Sequence, residues 1–255
     1  MMDVELLSGV YGAPPLHLAP APSGARQVSP LYPGAGNLSE ARPSSYSSIV
    51  MLAPPGTLER RRAMAEALTA LTLGAEFTVV APKDKGGARL RKELEAFGCP
   101  VREASKSHHR ICVVRRPETI LGVDDALAAG APRFVDQIGL WSQPGVFSWD
   151  RIDPGSTLLA SRLPNMEGSG ADLGCGIGYL SLSVLRSPAV TRLDLVDIDR
   201  RAIEAAQRNV TDSRAHPHWA DASSGGPRLD KLDFVVMNPP FHNAGTEDKA
   251  LGQAF

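Results

Sequence analysis

Asn238-Pro239-Pro240-Phe241 directly follows the apolar run Phe234-Val235-Val236-Met237, and its residue types suit chemistry on a planar amine. Such a nitrogen is a poor nucleophile because its lone pair is delocalised into a ring or carbonyl. The side-chain oxygen of Asn238 and the main-chain carbonyl of Pro239 can accept its two N–H groups. That favours pyramidalisation and directs the lone pair at a methyl donor. The two prolines stiffen the loop, so the acceptors are preorganised. Phe241 offers a ring against which a base can stack. His242 is placed either to contact substrate or to pack within the loop. No strong general base is required, since the proton can leave after transfer.

A site for the donor lies upstream. Ala171-Asp172-Leu173-Gly174-Cys175-Gly176-Ile177-Gly178 reads as a strand end followed by a glycine-rich turn. A glycine loop alone is a weak signal, compatible with a structural turn or a dinucleotide site. The spacing here is Gly-x-Gly-x-Gly rather than Gly-x-Gly-x-x-Gly. That suits S-adenosylmethionine, which has no pyrophosphate to cradle. Gly174, Cys175, Gly176 and Gly178 are the candidate loop contacts, and Asp172 can orient ligand or loop amides. Asp197 stands 19 residues after Gly178, where a strand-end carboxylate can accept both ribose hydroxyls. Asp199 is a helix N-cap or a secondary contact. Asp221 can accept from an adenine amino group or serve as a surface turn acid. Cys99, Cys112 and Cys175 show no metal-ligand spacing, so no metal site is expected.

Such residues need strands and helices to hold them. Short apolar runs at 48–52, 77–81 and 110–114 alternate with helical stretches at 57–73 and 88–97. This β-α-β-α-β rhythm predicts a parallel α/β sheet over 47–116. Thr57 is the expected helix cap and Gly74 the stop. The first strand leads into Ala53-Pro54-Pro55-Gly56, whose prolines lack the N–H groups a phosphate needs, so this half reads as a Rossmann-like domain without cofactor. Residues 1–46 are rich in Pro, Gly, Ala and Ser and read as irregular. Residues 117–143 read as a linker with a short helix at 124–129. A second domain then spans 144–255, with an entry helix at 150–163, strands at 171–173, 193–197, 218–220 and 234–237, and helices at 180–185 and 200–210. The fold class is α/β with two Rossmann-like domains.

Hydrophobic residues make up 43% and charged residues 22%, the balance of a globular chain, and no apolar run reaches membrane-spanning length. The N-terminus carries Asp3 and Glu5 and no basic residue, unlike a secretory signal. Three unpatterned cysteines fit a reducing cytoplasm. The net charge of -1 announces no nucleic-acid partner. Its distribution is uneven, however: residues 57–116 hold 13 Lys and Arg against 7 Asp and Glu, and residues 140–255 hold 11 against 14. A basic first half is compatible with RNA docking or with a solvated helix face.

With these residues in hand, the chain resembles the class I amino-methyltransferases, and within them the ribosomal RNA guanine-N2 methyltransferases of the small-subunit methyltransferase C type. The resemblance covers roughly residues 45–255. It rests on Pro144-Gly145-Val146-Phe147-Ser148, Asp172-Leu173-Gly174-Cys175-Gly176 and Asn238-Pro239-Pro240-Phe241-His242. It implies that the Pro144–Ser148 stretch helps close the active site, with Phe147 and His242 toward substrate. It also implies a degenerate first domain that assists RNA binding, and ribosomal RNA or the small subunit as partner to a cytoplasmic monomer. The family's catalytic sheet has seven strands, whereas this sequence ends soon after the fourth. The expectation is therefore a catalytic domain truncated after its fourth strand. Adenine-N6 methylation of RNA, protein-glutamine N5 methylation, a non-catalytic RNA- or cofactor-binding remnant and a dinucleotide oxidoreductase are the alternatives.

Overall fold

A computed structural model of the chain describes residues 6–224, 226–229, 231–239, 242–243 and 246–247, the last four through their backbone. The chain divides into two compact units, Met1–Ala131 and Pro132–Phe255.

The first unit is built on β1 (Leu7–Tyr11), β2 (Arg26–Gln27), β3 (Tyr46–Leu52), α1 (Thr57–Ala70), β4 (Leu71–Pro82), α2 (Leu90–Ala96), β5 (Arg102–Lys106), β6 (His109–Arg115) and α3 (Val123–Ala129). Its sheet has the order β2-β1-β3-β4-β6-β5. Ile49, Met51, Phe77 and Val79 of the central strands are fully buried and pack with Met64 and Leu68 of α1. The latter two are four residues apart and therefore share one helix face.

Four sequence expectations are corrected here. Residues 1–46 are not wholly irregular, because β1 lies parallel to β3 and pairs Gly9 with Ile49. Gly9 leaves room for the neighbouring side chains: a Cβ there would stand 3.1 Å from both Ile49 and the Tyr46 ring. Farther on, the Gln27 carboxamide accepts from the amides of Gly12, Val28 and Ser29 and donates to the Gly12 carbonyl. One side chain thus satisfies backbone groups that a Pro-rich segment cannot pair by itself.

The sheet is also not all parallel, since β6 runs antiparallel to β4. β5 and β6 form a hairpin whose two turn residues, Ser107 and His108, have φ of 47° and 58°. That is the left-handed pair that suits a two-residue hairpin. Every residue of β5 is exposed, so it carries no alternation of apolar residues to read. At α1, Gly56 rather than Thr57 is the N-cap, and the helix ends at Ala70. Gly74 sits inside β4 with φ of 73°, where its N–H donates to the Arg116 carbonyl. Finally, the expected linker is not a separate connector, because its short helix, α3, belongs to the first unit. Gly130 allows close approach to α1, since a Cβ there would stand 2.6 Å from that of Arg62, and Arg62 donates to the Leu127 carbonyl at 2.6 Å.

The Ala53–Gly56 loop turns its carbonyls inward. Arg60, fully buried, donates to the Pro54 and Pro55 carbonyls at 3.0 and 2.7 Å and forms two 2.7 Å bonds with Glu93. The planar guanidinium meets both carboxylate oxygens at once, the geometry that makes a buried pair tolerable.

The second unit contains β7 (Arg133–Val135), β8 (Leu140–Ser142), α4 (Pro154–Arg162), β9 (Gly168–Leu173), α5 (Tyr179–Val184), β10 (Val190–Asp197), α6 (Arg200–Asn209), β11 (Ala215–Trp219), β12 (Phe234–Met237), β13 (His242–Asn243) and β14 (Thr246–Glu247). β7 and β8 pair as a hairpin, and four strands form a parallel sheet in the order β11-β10-β9-β12. Pro217 lies in β11, at the edge of this order, where a missing donor is tolerated. Gly170 of β9 leaves space for the Phe234 ring of β12, which a Cβ at that position would strike. The strand order reverses at β9, with β10 on one side and β12 on the other. In open parallel sheets a ligand crevice lies there, outside the carboxyl ends of the strands.

Candidate functional site

The carboxyl ends of β9, β10 and β12 carry the glycine turn, Asp197 and Asn238. Gly174, Gly176 and Gly178 all have positive φ, at 69°, 54° and 86°. Their surroundings differ. A Cβ at Gly174 or Gly176 would meet nothing within 4 Å, whereas one at Gly178 would stand 2.7 Å from the Val210 side chain. Gly174 and Gly176 therefore border open space, and Gly178 is the point where α5 approaches the end of α6. Cys175 between them is buried in the core, and burial holds its thiol well above the ordinary range. Its side chain anchors the loop and does not supply a thiolate.

Asp172 is completely buried at the end of β9. Its Oδ2 accepts a 2.6 Å bond from the Ser181 hydroxyl of α5, while Oδ1 is buried without a partner. Burial pushes its carboxyl up to about 7, the Ser181 hydrogen bond opposes this, and Asp197 adds to it. An orphaned acceptor of this kind is uncommon in a folded interior. Asp197, at the end of β10, accepts from the Gly176 amide on Oδ2 and the Asp199 amide on Oδ1, each at 2.8 Å. Burial pushes it up to about 6, against the pull of those amides. Asp199 is the N-cap of α6 and binds Arg201 through both oxygens. Asp221 lies beyond β11. Its Oδ1 accepts from the amide and hydroxyl of Ser223, and the hydroxyl contact lowers its carboxyl.

Asn238 follows β12. Its Nδ2 donates to Asp153 Oδ2 and to Ser156 Oγ, both at 2.9 Å. Asp153 is also the N-cap of α4, its Oδ2 accepting from the Ser156 amide at 2.8 Å, and Pro154 opens the helix. The expected entry helix thus starts at Pro154 rather than Asp150, because Asp153 is extended and caps it. Asn238, Asp153, Ser156, Gly174, Gly176 and Phe147 line one open cleft. Phe147 is 69% exposed. Its neighbour Val146 packs against Ile177, Ala202 and Ala205, so the stretch is pinned by one side chain while the next faces outward. Pro239 is half-buried after Asn238. Pro240 and Phe241 lie outside the described residues, and for His242 only the backbone pairing with Glu247 is described.

Sequence reasoning missed Asp153 and Ser156. The available signal was Asp-Pro-x-Ser at a helix start. Ile198, between Asp197 and Asp199, is apolar and 42% exposed. Among the described residues no cluster of His, Cys, Asp and Glu can hold a metal ion, and no helix is long and apolar enough to cross a membrane.

Comparison with known proteins bears on this site. A family profile described as the methyltransferase small domain matches residues 137–255. A Pseudomonas aeruginosa protein named ribosomal RNA small subunit methyltransferase C is 31% identical over 222 residues, covering 85% of this chain and 66% of its own length. An Escherichia coli protein of the same name is 29% identical over 177 residues, covering 69% of this chain and 51% of its own. The chain thus spans between half and two thirds of these relatives. Among solved structures, a T. thermophilus 16S rRNA N2 methyltransferase in complex with AdoMet and guanosine superposes with a TM-score of 0.72. It covers 98% of this chain and 74% of its own at 21% identity, so the likeness is one of fold.

Proposed function

Because the chain belongs to the methyltransferase small-domain family, we propose that it is an S-adenosylmethionine-dependent methyltransferase acting on an exocyclic base amine, guanine N2 of ribosomal RNA. The observation that carries this reading is one cleft lined by Asn238 and by the open faces of Gly174 and Gly176. The residues present fit the donor. The two glycines leave room where any side chain would intrude, and Asp172 keeps a buried oxygen without a partner. Gly174 and Gly176 would border the donor's amino-acid end, with Asp172 below. Asp197 would accept the ribose hydroxyls, with Asp221 and the exposed side chain of Ile198 toward the adenine. Cys175 and Gly178 serve the loop by packing. When bound, S-adenosylmethionine supplies a methyl group on a cationic sulfur.

The chain's own residues position the amine. With both Nδ2 hydrogens donated to Asp153 and Ser156, Asn238 presents Oδ1 as acceptor for one substrate N–H. The Pro239 carbonyl takes the other. These contacts draw the nitrogen out of conjugation and stabilise the positive charge it develops. Phe147 offers a face for the base, and Phe241, two residues after Pro239 in the sequence, is proposed as a second. The proton leaves to solvent. The names of the relatives support ribosomal RNA as substrate, and the Pro144–Ser148 stretch supports guanine. The proposal includes a two-domain division with a basic first domain docking RNA and a monomer in the cytoplasm.

The test is transfer of labelled methyl from S-adenosylmethionine to unmethylated ribosomal RNA and to small subunits, followed by nucleoside analysis. N2-methylguanosine is the expected product. N6-methyladenosine would select the adenine alternative, and bound cofactor without transfer would select the non-catalytic one.

A further inference from the structure

We infer that Asp153 is a positioning residue for Asn238: with Ser156 it locks the carboxamide in one orientation and, through its charge, strengthens Oδ1 as an acceptor. The inference rests on the proposed methyl transfer for its meaning, and on geometry for its content. A carboxamide is nearly symmetric in shape, and a half-turn exchanges its donor and acceptor ends. Asn238 at the end of a short strand has no backbone reason to prefer one end. Asp153 and Ser156 supply it. Each takes one Nδ2 hydrogen at 2.9 Å. A half-turn would set Oδ1 against the Asp153 carboxylate, acceptor against acceptor, and leave Nδ2 facing the substrate amine, donor against donor.

Asp153 is itself held. Its Oδ2 also accepts the Ser156 amide at 2.8 Å as the N-cap of α4. Gly155 between them keeps the arrangement tight, since a Cβ there would stand 2.9 Å from Asp153 Oδ2 and 3.5 Å from Asn238 Oδ1. A carboxylate pulling on the N–H side of an amide increases electron density on its oxygen, as in any hydrogen-bond chain. That oxygen then better stabilises a nitrogen that becomes cationic as it is methylated. The clamp therefore acts on the rate step more than on binding.

Helix capping and clamping are separable by substitution. Ser is a good N-cap, so Asp153→Ser keeps the cap on the Ser156 amide and removes the carboxylate from Asn238. The expected result is an unchanged Tm and cofactor affinity, with kcat lowered by about 10- to 100-fold, the usual effect of losing a supporting partner of a catalytic group. In an Asn238→Ala background the same substitution should cause no further loss, because the two residues act as one unit. Equal losses in both backgrounds, or a full kcat in Asp153→Ser, would overturn the inference.

A second readout does not depend on activity. In ¹H–¹⁵N spectra the Asn238 side-chain amide, identified by its loss in Asn238→Ala, should show slow exchange and slow rotation that both accelerate in Asp153→Ser. If the wild type transfers no methyl group, the proposed function fails while this measurement still decides the clamp. Unaltered exchange and rotation in Asp153→Ser would remove it.

Discussion

Asn238 and Asp197 divide the proposed labour, and substitution should separate them. Asn238→Ala removes an acceptor required when charge develops. Methyl transfer should fall by about 10²- to 10³-fold, as for other preorganised partners of a developing charge, with little change in cofactor affinity. Equal losses in both, measured by single-turnover kinetics and calorimetry, would contradict the assignment. Both oxygens of Asp197 are acceptors only in the carboxylate form, since the protonated acid turns one of them into a donor, and burial raises it to about 6. Cofactor affinity should therefore climb as pH rises through that value and level off above it, and Asp197→Ala should weaken binding at every pH. Stability runs the other way. An acid whose pKa is higher in the fold than its ordinary 3.8 holds its proton more tightly when folded, so ionisation opposes folding. Asp172, raised to about 7, and Asp197 should make the cofactor-free protein less heat-stable as pH rises from about 4 to about 7. The carboxyls of Asp194, Asp212 and Asp221 are lowered and titrate outside that window. Asp172→Asn should flatten the dependence. A flat Tm in the wild type would mean that neither acid is buried as described.

The turn between β9 and α5 contains glycines with two different physical duties. All three have left-handed backbone, which costs a residue with a Cβ about 1 kcal/mol. Gly178 adds a collision with Val210 at the end of α6, while Gly174 opens on empty space. Gly178→Ala should lower Tm well beyond Gly174→Ala. Gly174→Ala should instead cost cofactor affinity out of proportion to its effect on Tm. Similar Tm losses for the pair, with cofactor affinity untouched, would place the ligand elsewhere. The same contrast explains why spacing alone could not sort these residues. The Gly-x-Gly-x-Gly pattern records where the backbone must turn left-handed and is silent on what lies across the gap.

The two units carry opposite charge balances, basic over 57–116 and mildly acidic over 140–255. In the first unit the basic side chains gather in part where the chain turns. Lys83 lies just after β4 and Lys106 at the end of β5, both exposed, and the Lys83 amide donates to the His108 carbonyl, so the two turns are neighbours. Phosphate binding by lysines releases counterions and makes affinity fall with salt. If this end docks RNA, Lys83→Ala with Lys106→Ala should weaken RNA binding for all sequences alike. It should also reduce the salt slope by about one for each phosphate set free. Filter binding at several salt concentrations measures this. An unchanged slope would move the RNA to another face.

Local chemistry reaches far into this protein. The glycine turn, the strand-end acid Asp197 and the place of Asn238 after β12 were legible because each depends on residue type at a fixed distance from an apolar strand. The four strands and two helices behind them were legible for the same reason, since apolar period and turn residues are local. What lay beyond reach depends on pairing between distant segments. β1 joins its sheet through a glycine that accommodates Tyr46 and Ile49, and β5 is exposed throughout and pairs with β6 at the edge of the sheet. Neither leaves a hydrophobic pattern to read. Asp153 is separated from Asn238 by 85 positions, and only the tertiary fold, which sets the N-cap of α4 beside the end of β12, brings its carboxylate to the amide. The sequence by itself determined the candidates for the proposed chemistry. The tertiary structure decided which way the decisive amide points, because that orientation is set by hydrogen-bond partners that no local pattern connects.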